Sequence, residues 1–393
     1  MLEILIQSKN KEKDIALVEN GNLIEYYKEN SNIERNEGNI YVGIIKDVVE
    51  GMQAAFVDIG TDKNSFIHIK DMLPKIDETV RKYDNNTNIK DIAQKGKKIL
   101  VQVKKDSNEK KGARVSTHIN LPGKYIALMP NTDIITISQK IENKQEQQRL
   151  IDIVKQNLSN GNGAIIRTSA ENKDEKTIIE DIKKIEKKWD KILKTNVNPD
   201  DNKPKLIYKA EDIIEKMLID LTDKKINKII VNNKEEYIRL EKIKKENTEY
   251  SNIEIEQSKN VFTKYDIQKQ IEKIDDRKIW LKCGAFITID KTEALTAIDV
   301  NTGKYTGKND LEETVCKVNK EATIEIAKQL RLKDIGGIII IDYIDMKKEE
   351  HKKDIENLIK QELKKDRAKT QVEGFTKLDL MELTRKHICS HRT

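Results

Sequence analysis

The 393-residue chain has little of what staples or anchors a protein: three cysteines, five prolines, and aromatic residues at only 5% of positions. Cys283, Cys316 and Cys389 are too few and too scattered for a disulfide framework, and without a CxxC pair nothing suggests a zinc ribbon. A reducing, cytoplasmic setting fits this usage. Long apolar runs are also missing. The longest, Ile335 to Ile341 counting glycine, is far below the roughly 18 residues a membrane span needs. Glu3 interrupts the apolar N-terminus where an export signal would carry Lys or Arg before a longer apolar stretch, so neither span nor leader is expected. Scarce glycine and proline argue against low complexity. What is abundant is charge, 36% of residues against about 25% in an average domain. The net excess is only +6, which suits a polyanionic partner without requiring one. At roughly 150 residues per domain, two to three domains are expected.

The opening, Met1 to Tyr27, reads as a small sheet: Leu2 to Ile6, Ile15 to Val18 and Asn22 to Tyr26, with Asn20-Gly21 as a tight hairpin signal. Five short strands follow: Ile40 to Val48, Ala54 to Ile59, Ser65 to Ile69, Ile99 to Lys104 and Ala113 to Thr117. In about 80 residues they suit a small closed barrel of the OB type. A mixed α/β segment comes next, with helices over Gln145 to Leu158 and Glu175 to Leu193 around a strand at Gly163 to Thr168. Asn196 to Pro204 reads as a linker. Beyond it lie a helix at Glu211 to Leu221, a strand at Ile226 to Val231 and a helix at Lys234 to Lys245. In the last third, strands at Gly284 to Asp290 and Ala294 to Asn301 precede a helix starting at Asp310. Its apolar face is Val315, Val318, Ala322, Ile326 and Leu330. The strand Ile338 to Ile341 then closes on Asp342. Strand, helix, strand is a βαβ unit, so its two strands should be parallel and close neighbours.

Strand alternation points Asp299 and Asn301 the same way and turns Ile298 and Val300 into the packing. Asp299 and Asp342 both stand where an apolar strand ends, and the carboxyl ends of parallel strands are where ligands collect. Two carboxylates converging on one edge need a counter-ion. Hard oxygen ligands with waters to spare describe magnesium rather than zinc. The alternative is capping: Asp299 closing a turn with Asn301, and Asp342 capping a helix that begins near Lys347. Asp345, three residues after Asp342, should face the other way and cap.

Three stretches carry a longer likeness: GAFITIDKTEALTAIDVNTGKYTG (Gly284 to Gly307), ETVCKVNKEATIEIAKQLRLKDIGGIIIIDYIDM (Glu313 to Met346) and DRAKTQVEGFTKLDLMELTRK from Asp366. Together with AAFVDIG (Ala54 to Gly60), GKYIALMP (Gly123 to Pro130) and IIRTSAEN (Ile165 to Asn172), they resemble the ribonuclease E/G family of bacterial endoribonucleases. The resemblance implies an α/β multi-domain protein. An RNase H-like subdomain (1–35 and 209–277) would be interrupted by an RNA-binding OB-fold domain of the S1 type (36–117) and a 5′-end sensor (118–208). A DNase I-like α/β catalytic subdomain (278–386) and a short tail (387–393) would follow. By the same match Asp299 and Asp342 bind magnesium, with manganese as substitute ion, and Asn301 orients the scissile phosphate. Products then carry 5′-phosphate and 3′-hydroxyl ends, and the role is RNA processing and decay on single-stranded RNA.

Phe56 and Phe66 match the family's RNA-contacting barrel aromatics and Lys111 a basic partner; core packing is the competing reading for both rings. Arg167 and Thr168, with the backbone near Ala127, match a pocket for a 5′-monophosphate, and guanidinium and hydroxyl donors suit that task. Lys369 stands where the family carries a basic residue engaging RNA near the active centre. The family's CPxC-type zinc link between two protomers is missing: the sequence reads His387-Ile-Cys-Ser-His-Arg-Thr393. Cys389 and His391 could hold a metal only with ligands from another chain, and an inert tail is the competing reading; the resemblance therefore implies stimulation by a 5′-monophosphate and allows a homodimer, while the zinc link that couples the two in the family is not carried over. The rival readings are a non-catalytic RNA-binding protein, against which the intact acids argue, and a magnesium-dependent DNase, which the barrel's RNA character disfavours.

Overall fold

The computed structural model describes residues 1–30, 35–72, 88–195, 203–221, 224–303 and 311–388. The expected helix start at Asp310, most of the expected linker, and Cys389 and His391 lie outside them. The chain divides into two compact units, one of residues 1–32 and 224–393 and one of residues 33–223.

The first unit opens on strands β1 (Leu2–Lys9), β2 (Glu12–Glu19) and β3 (Asn22–Asn30), an antiparallel meander. The expected hairpin turn is present: Asn20 and Gly21 both take positive φ, +49° and +81°, as a primed two-residue turn demands.

The second unit contains the barrel. Strands β4 (Ile40–Val49), β5 (Ala54–Asp58) and β6 (Ser65–His68), the short helix α1 (Ile89–Ile92), and strands β7 (Lys98–Lys105) and β8 (Arg114–Ser116) follow in order. The ring closes as β4-β5-β6-β8-β7 and back to β4, and β6 and β8 pair parallel. Inward residues alternate along each strand, Ala55, Val57, Ile67, Val101, Val103 and Val115 among them, and fill its interior. The same unit continues with β9 (Leu121–Pro122), β10 (Ile126–Pro130), β11 (Ile135–Ile137), helix α2 (Lys144–Asn157), β12 (Asn162–Ile166) and helix α3 (Glu175–Lys194). These strands form a second sheet in the order β11-β12-β10-β9. Ile178, Ile182, Ile185, Trp189 and Ile192 of α3 share its core. Strand β13 (Lys205–Tyr208) then takes up the stretch of the β4 edge beyond β5, and helix α4 (Ile213–Asp220) ends the unit.

Back in the first unit, β14 (Ile226–Val231) runs parallel to β1. Helix α5 (Lys234–Glu246) leads to β15 (Glu254–Gln257), parallel to β14, and helix α6 (Ile267–Glu272) follows. Next come β16 (Lys278–Trp280), β17 (Phe286–Lys291), β18 (Leu295–Asn301), helix α7 (Leu311–Leu332), β19 (Gly337–Asp342), helix α8 (Glu349–Leu363), β20 (Thr370–Phe375) and β21 (Leu380–Arg385). Their strands make one six-stranded sheet, β16-β17-β18-β19-β21-β20, in which β18 and β19 are adjacent and parallel as the βαβ reading requires. The expected apolar stripe of α7 is buried against one face with Ile287, Ile298, Ile339 and Ile341; Ile355 and Ile359 of α8 join that core.

Two buried arginines fix this unit through three ion pairs. Arg367 donates to Glu25 Oε2 at 2.7 and 3.0 Å, tying the segment before β20 to β3. Arg385, whose side chain is fully buried, donates to Asp366 at 2.8 Å and to Asp334 at 2.7 Å. It thereby joins β21 to the turn that launches β19.

Candidate active site

Along β18, Thr296, Ile298 and Val300 are buried while Ala297 and Asn301 are exposed and Asp299 is half-buried. On β19, Ile339 and Ile341 are buried while Ile338 and Asp342 are exposed. The register then decides the site: in the parallel pair Asp299 stands directly opposite Asp342, on the open face and at the carboxyl ends of both strands. Adjacent strands lie about 4.8 Å apart, so the two carboxylates are cross-strand neighbours. Asn301, two residues on and on the same face, donates from Nδ2 to Asp299 Oδ2 at 3.1 Å.

The capping alternative is not what is found for Asp342. Helix α8 begins at Glu349 rather than Lys347, has Lys348 at its N-cap position, and receives no side-chain cap from it. The amides of Lys347 and Lys348 instead donate to Glu312 Oε1 of α7, at 2.9 and 3.1 Å. Asp345 departs from expectation as well: it does not occupy the cap, and its charge acts on Asp342. Strand alternation stops at Asp342, where β19 ends, so counting residues beyond it does not give a face.

Burial, then the negative charges of Asp299 and Asp345, hold the Asp342 carboxyl above the usual aspartate range. A cation between the acids would relieve that repulsion. Among the described residues no group of three or more His, Cys, Asp or Glu side chains forms a metal cage. Two carboxylates and a neighbouring amide are hard oxygen donors, and magnesium is commonly held by one or two carboxylates while keeping several waters, so the residues fit that ion. A metal ligand must be deprotonated, so affinity for a divalent ion should fall as pH drops through the raised Asp342 value, sooner than for an ordinary aspartate. Asp299→Asn removes a like charge and should lower the Asp342 pKa, read by carboxyl-carbon NMR titration. An Asp342 titration untouched by the change would show that the pair does not interact.

The other predicted residues fall in separate places. Phe56 and Phe66 are directly cross-strand, half-buried on the outer face of the barrel, and meet edge to face with centroids 6.0 Å apart. Neither joins the barrel core. Lys111 is exposed in a turn tied down by Lys63, whose Nζ donates to the Asn108 carbonyl at 3.1 Å. That turn lies beside Phe66, whose N–H donates to the Ala113 carbonyl at 2.7 Å. In the second sheet of that unit, Ala127 pairs with Ile165, and Arg167, just past the end of that strand, donates its N–H to the Tyr125 carbonyl at 2.8 Å, two residues before Ala127. The Arg167 guanidinium donates to the Gly123 carbonyl at 2.8 Å and to the Asp220 carboxylate. Asp220 is a partner 53 residues away that no local pattern announces. Thr168 Oγ1 shares a hydrogen bond with Ser138 Oγ at 2.8 Å. Lys369 is not brought to the acid pair. Its carbonyl accepts from Lys386 N–H beyond the Thr370–Arg385 pairing, level with Gly337 at the start of β19. Asp342 is at the far end of that strand, about 16 Å of chain away.

A multidomain α/β protein that carries a five-stranded closed barrel and a parallel strand pair ending in two matched acids is the class these features define. Residues 120–388 match the profile of the Ribonuclease E/G family. The chain is 35% identical to Ribonuclease G of Escherichia coli (strain K12) over 390 residues, covering 98% of this chain and 79% of that protein. It is 36% identical to Ribonuclease G of Haemophilus influenzae, with the same coverage, and 32% identical to Ribonuclease E of that organism, spanning 99% of this chain and 42% of the relative. The chain belongs to the Ribonuclease E/G family.

Proposed function

We infer that the chain is an endoribonuclease acting on single-stranded RNA in RNA processing and decay, magnesium-dependent and leaving 5′-phosphate and 3′-hydroxyl ends. Family membership supports the endoribonuclease assignment. The in-register pairing of Asp299 with Asp342 is the observation that carries the metal-dependent mechanism. These two carboxylates would hold the ion, and the Asn301 amide, steadied by Asp299, would orient the scissile phosphate. Magnesium, when bound there, supplies a water acidic enough to attack and charge to offset that building on the phosphoryl oxygens.

In this reading residues 36–117 are the RNA-binding domain, 118–208 a 5′-end sensor, 278–386 the catalytic subdomain, and 1–35 with 209–277 an RNase H-like subdomain. Arg167, Thr168 and the backbone near Ala127 would bind a 5′-monophosphate; the Gly123 and Asp220 contacts fix the guanidinium fork in place beforehand. Phe56 and Phe66 would stack unpaired bases, worth about 1 to 3 kcal/mol each. Phe66→Ala should therefore weaken binding of an unstructured RNA by about 5- to 100-fold without loss of fold, measured by fluorescence anisotropy in chelator. Binding equal to the parent's would remove the ring from the interface. No helix among the described residues is long and apolar enough to cross a membrane, and the proposed site of action is the cytoplasm.

Purified protein incubated with a 5′-monophosphorylated, unstructured RNA, its 5′-hydroxyl counterpart and a matched DNA, each with magnesium or chelator, tests the proposal. Cleavage of RNA alone, only with magnesium and faster with the 5′-phosphate, is expected. RNA bound but uncut would favour a non-catalytic RNA-binding protein, and equal cutting of DNA a general nuclease.

A further inference from the structure

An aromatic cluster lies on the same open sheet face as the acids. Strand β16 pairs with β17 so that Trp280, Phe286 and Asn301 form one cross-strand row, and Lys278, Thr288, Asp299 and Asp342 form the next. Trp280 is 60% exposed. It meets Phe286 edge to face, centroids 5.2 Å apart at 60°. Lys278 Nζ stands 4.3 Å from the Trp280 ring centroid and 3.6 Å from that of Phe286. Gly303, just past Asn301, lies against the other side: a Cβ there would stand 3.4 Å from Phe286 Cδ1 and 2.7 Å from the Gly284 carbonyl oxygen. Phe286 thus packs against both this backbone and the indole, and it braces Trp280 from one side. A lone exposed tryptophan on a surface needs no explanation. A braced indole beside an ammonium, in register with a phosphate-orienting amide, has the parts of a nucleotide site: a π face for a base and a charge for its phosphate.

We propose that Trp280, supported by Phe286 and Lys278, is a stacking subsite for one unpaired base of the RNA strand, flanking the cleaved bond. Two strand spacings, about 10 Å, separate Trp280 from Asn301, so the base belongs to a nucleotide one or two removed from the scissile phosphate. Its position beside the cleaved bond rests on the acid-pair reading above; its capacity to bind a base does not.

The unaltered protein reports on this directly, because it has only two tryptophans and the other, Trp189, is 6% exposed. In chelator, so that no cleavage occurs, iodide should quench Trp280 in the free protein, and an unstructured oligoribonucleotide should protect it. Trp280→Ala should weaken binding of that RNA about 5- to 100-fold, and Trp280→Tyr should restore most of the loss. An abasic nucleotide at one position beside the cleaved bond should make parent and Trp280→Ala bind alike. Trp280 left open to iodide with RNA bound, or Trp280→Ala binding as the parent does, would overturn the proposal. So would protection that rises with protein concentration in the absence of RNA, which would mark a second copy of the chain as the occupant. Restoring magnesium separates the two readings: cleavage with Trp280 unprotected removes the subsite and leaves the acid pair, whereas protection without cleavage keeps the subsite and removes the acid-pair reading.

Discussion

Asp299→Asn and Asp342→Asn are each expected to lower the single-turnover rate of RNA cleavage by about a thousandfold or more. Each would remove a charged oxygen ligand of the proposed ion, and the stabilisation a bound metal gives a developing phosphoryl charge is several kcal/mol, with about 1.4 kcal/mol per factor of ten. RNA affinity measured in chelator should hardly change, since neither acid attracts a polyanion. Folding should not suffer either: the Asp342 carboxyl sits above its ordinary range partly because Asp299 faces it, so removing one charge relieves repulsion. A variant that cuts as fast as the parent would refute the site assignment while leaving family membership intact.

The second large effect is on stability. Arg385→Ala should destabilise the unit containing the acid pair by about 3 to 5 kcal/mol, because it strands Asp334 and Asp366 as buried charges without their partner. Arg385→Lys should recover only part of this, as an ammonium cannot reproduce a fork that reaches two carboxylates and the Ile335 carbonyl. Urea unfolding followed by far-ultraviolet circular dichroism reads the difference; a loss below about 1 kcal/mol would mean the network relaxes without it. Since Asp334 sits in the turn before β19, the same substitution should also lower cleavage by loosening the strand that carries Asp342.

Much of this site was legible in the sequence because its elements are strongly patterned. The all-apolar run of β19, the helical stripe of α7 and the alternation of β18 each admit one interpretation, and right-handed βαβ connection then makes β18 and β19 parallel neighbours. That left only register undetermined, and register is what sets Asp299 against Asp342. Several of the strands that escaped notice are short. Lys278–Trp280, Lys205–Tyr208 and Ile135–Ile137 run three or four residues, and they are strands because a neighbouring edge accepts them. The same limit hid the tertiary partners. Arg367 finds Glu25 across 342 residues and Arg167 finds Asp220 across 53, with no periodicity linking either pair. Lys369 illustrates the converse. Placed by resemblance near the active centre, it lies level with Gly337, because β20 joins the sheet through β21 and starts at the end remote from Asp342.

Asp299 and Asp342 are proposed to hold one divalent ion. Iron(II) loaded in place of magnesium, with ascorbate and peroxide, generates hydroxyl radicals that cut the polypeptide backbone close to the bound metal. Scission near Asp299 and Asp342, suppressed by excess magnesium and absent from Asp342→Asn, is the predicted result. Fragments mapping elsewhere in the chain, or an unchanged pattern in Asp342→Asn, would contradict it.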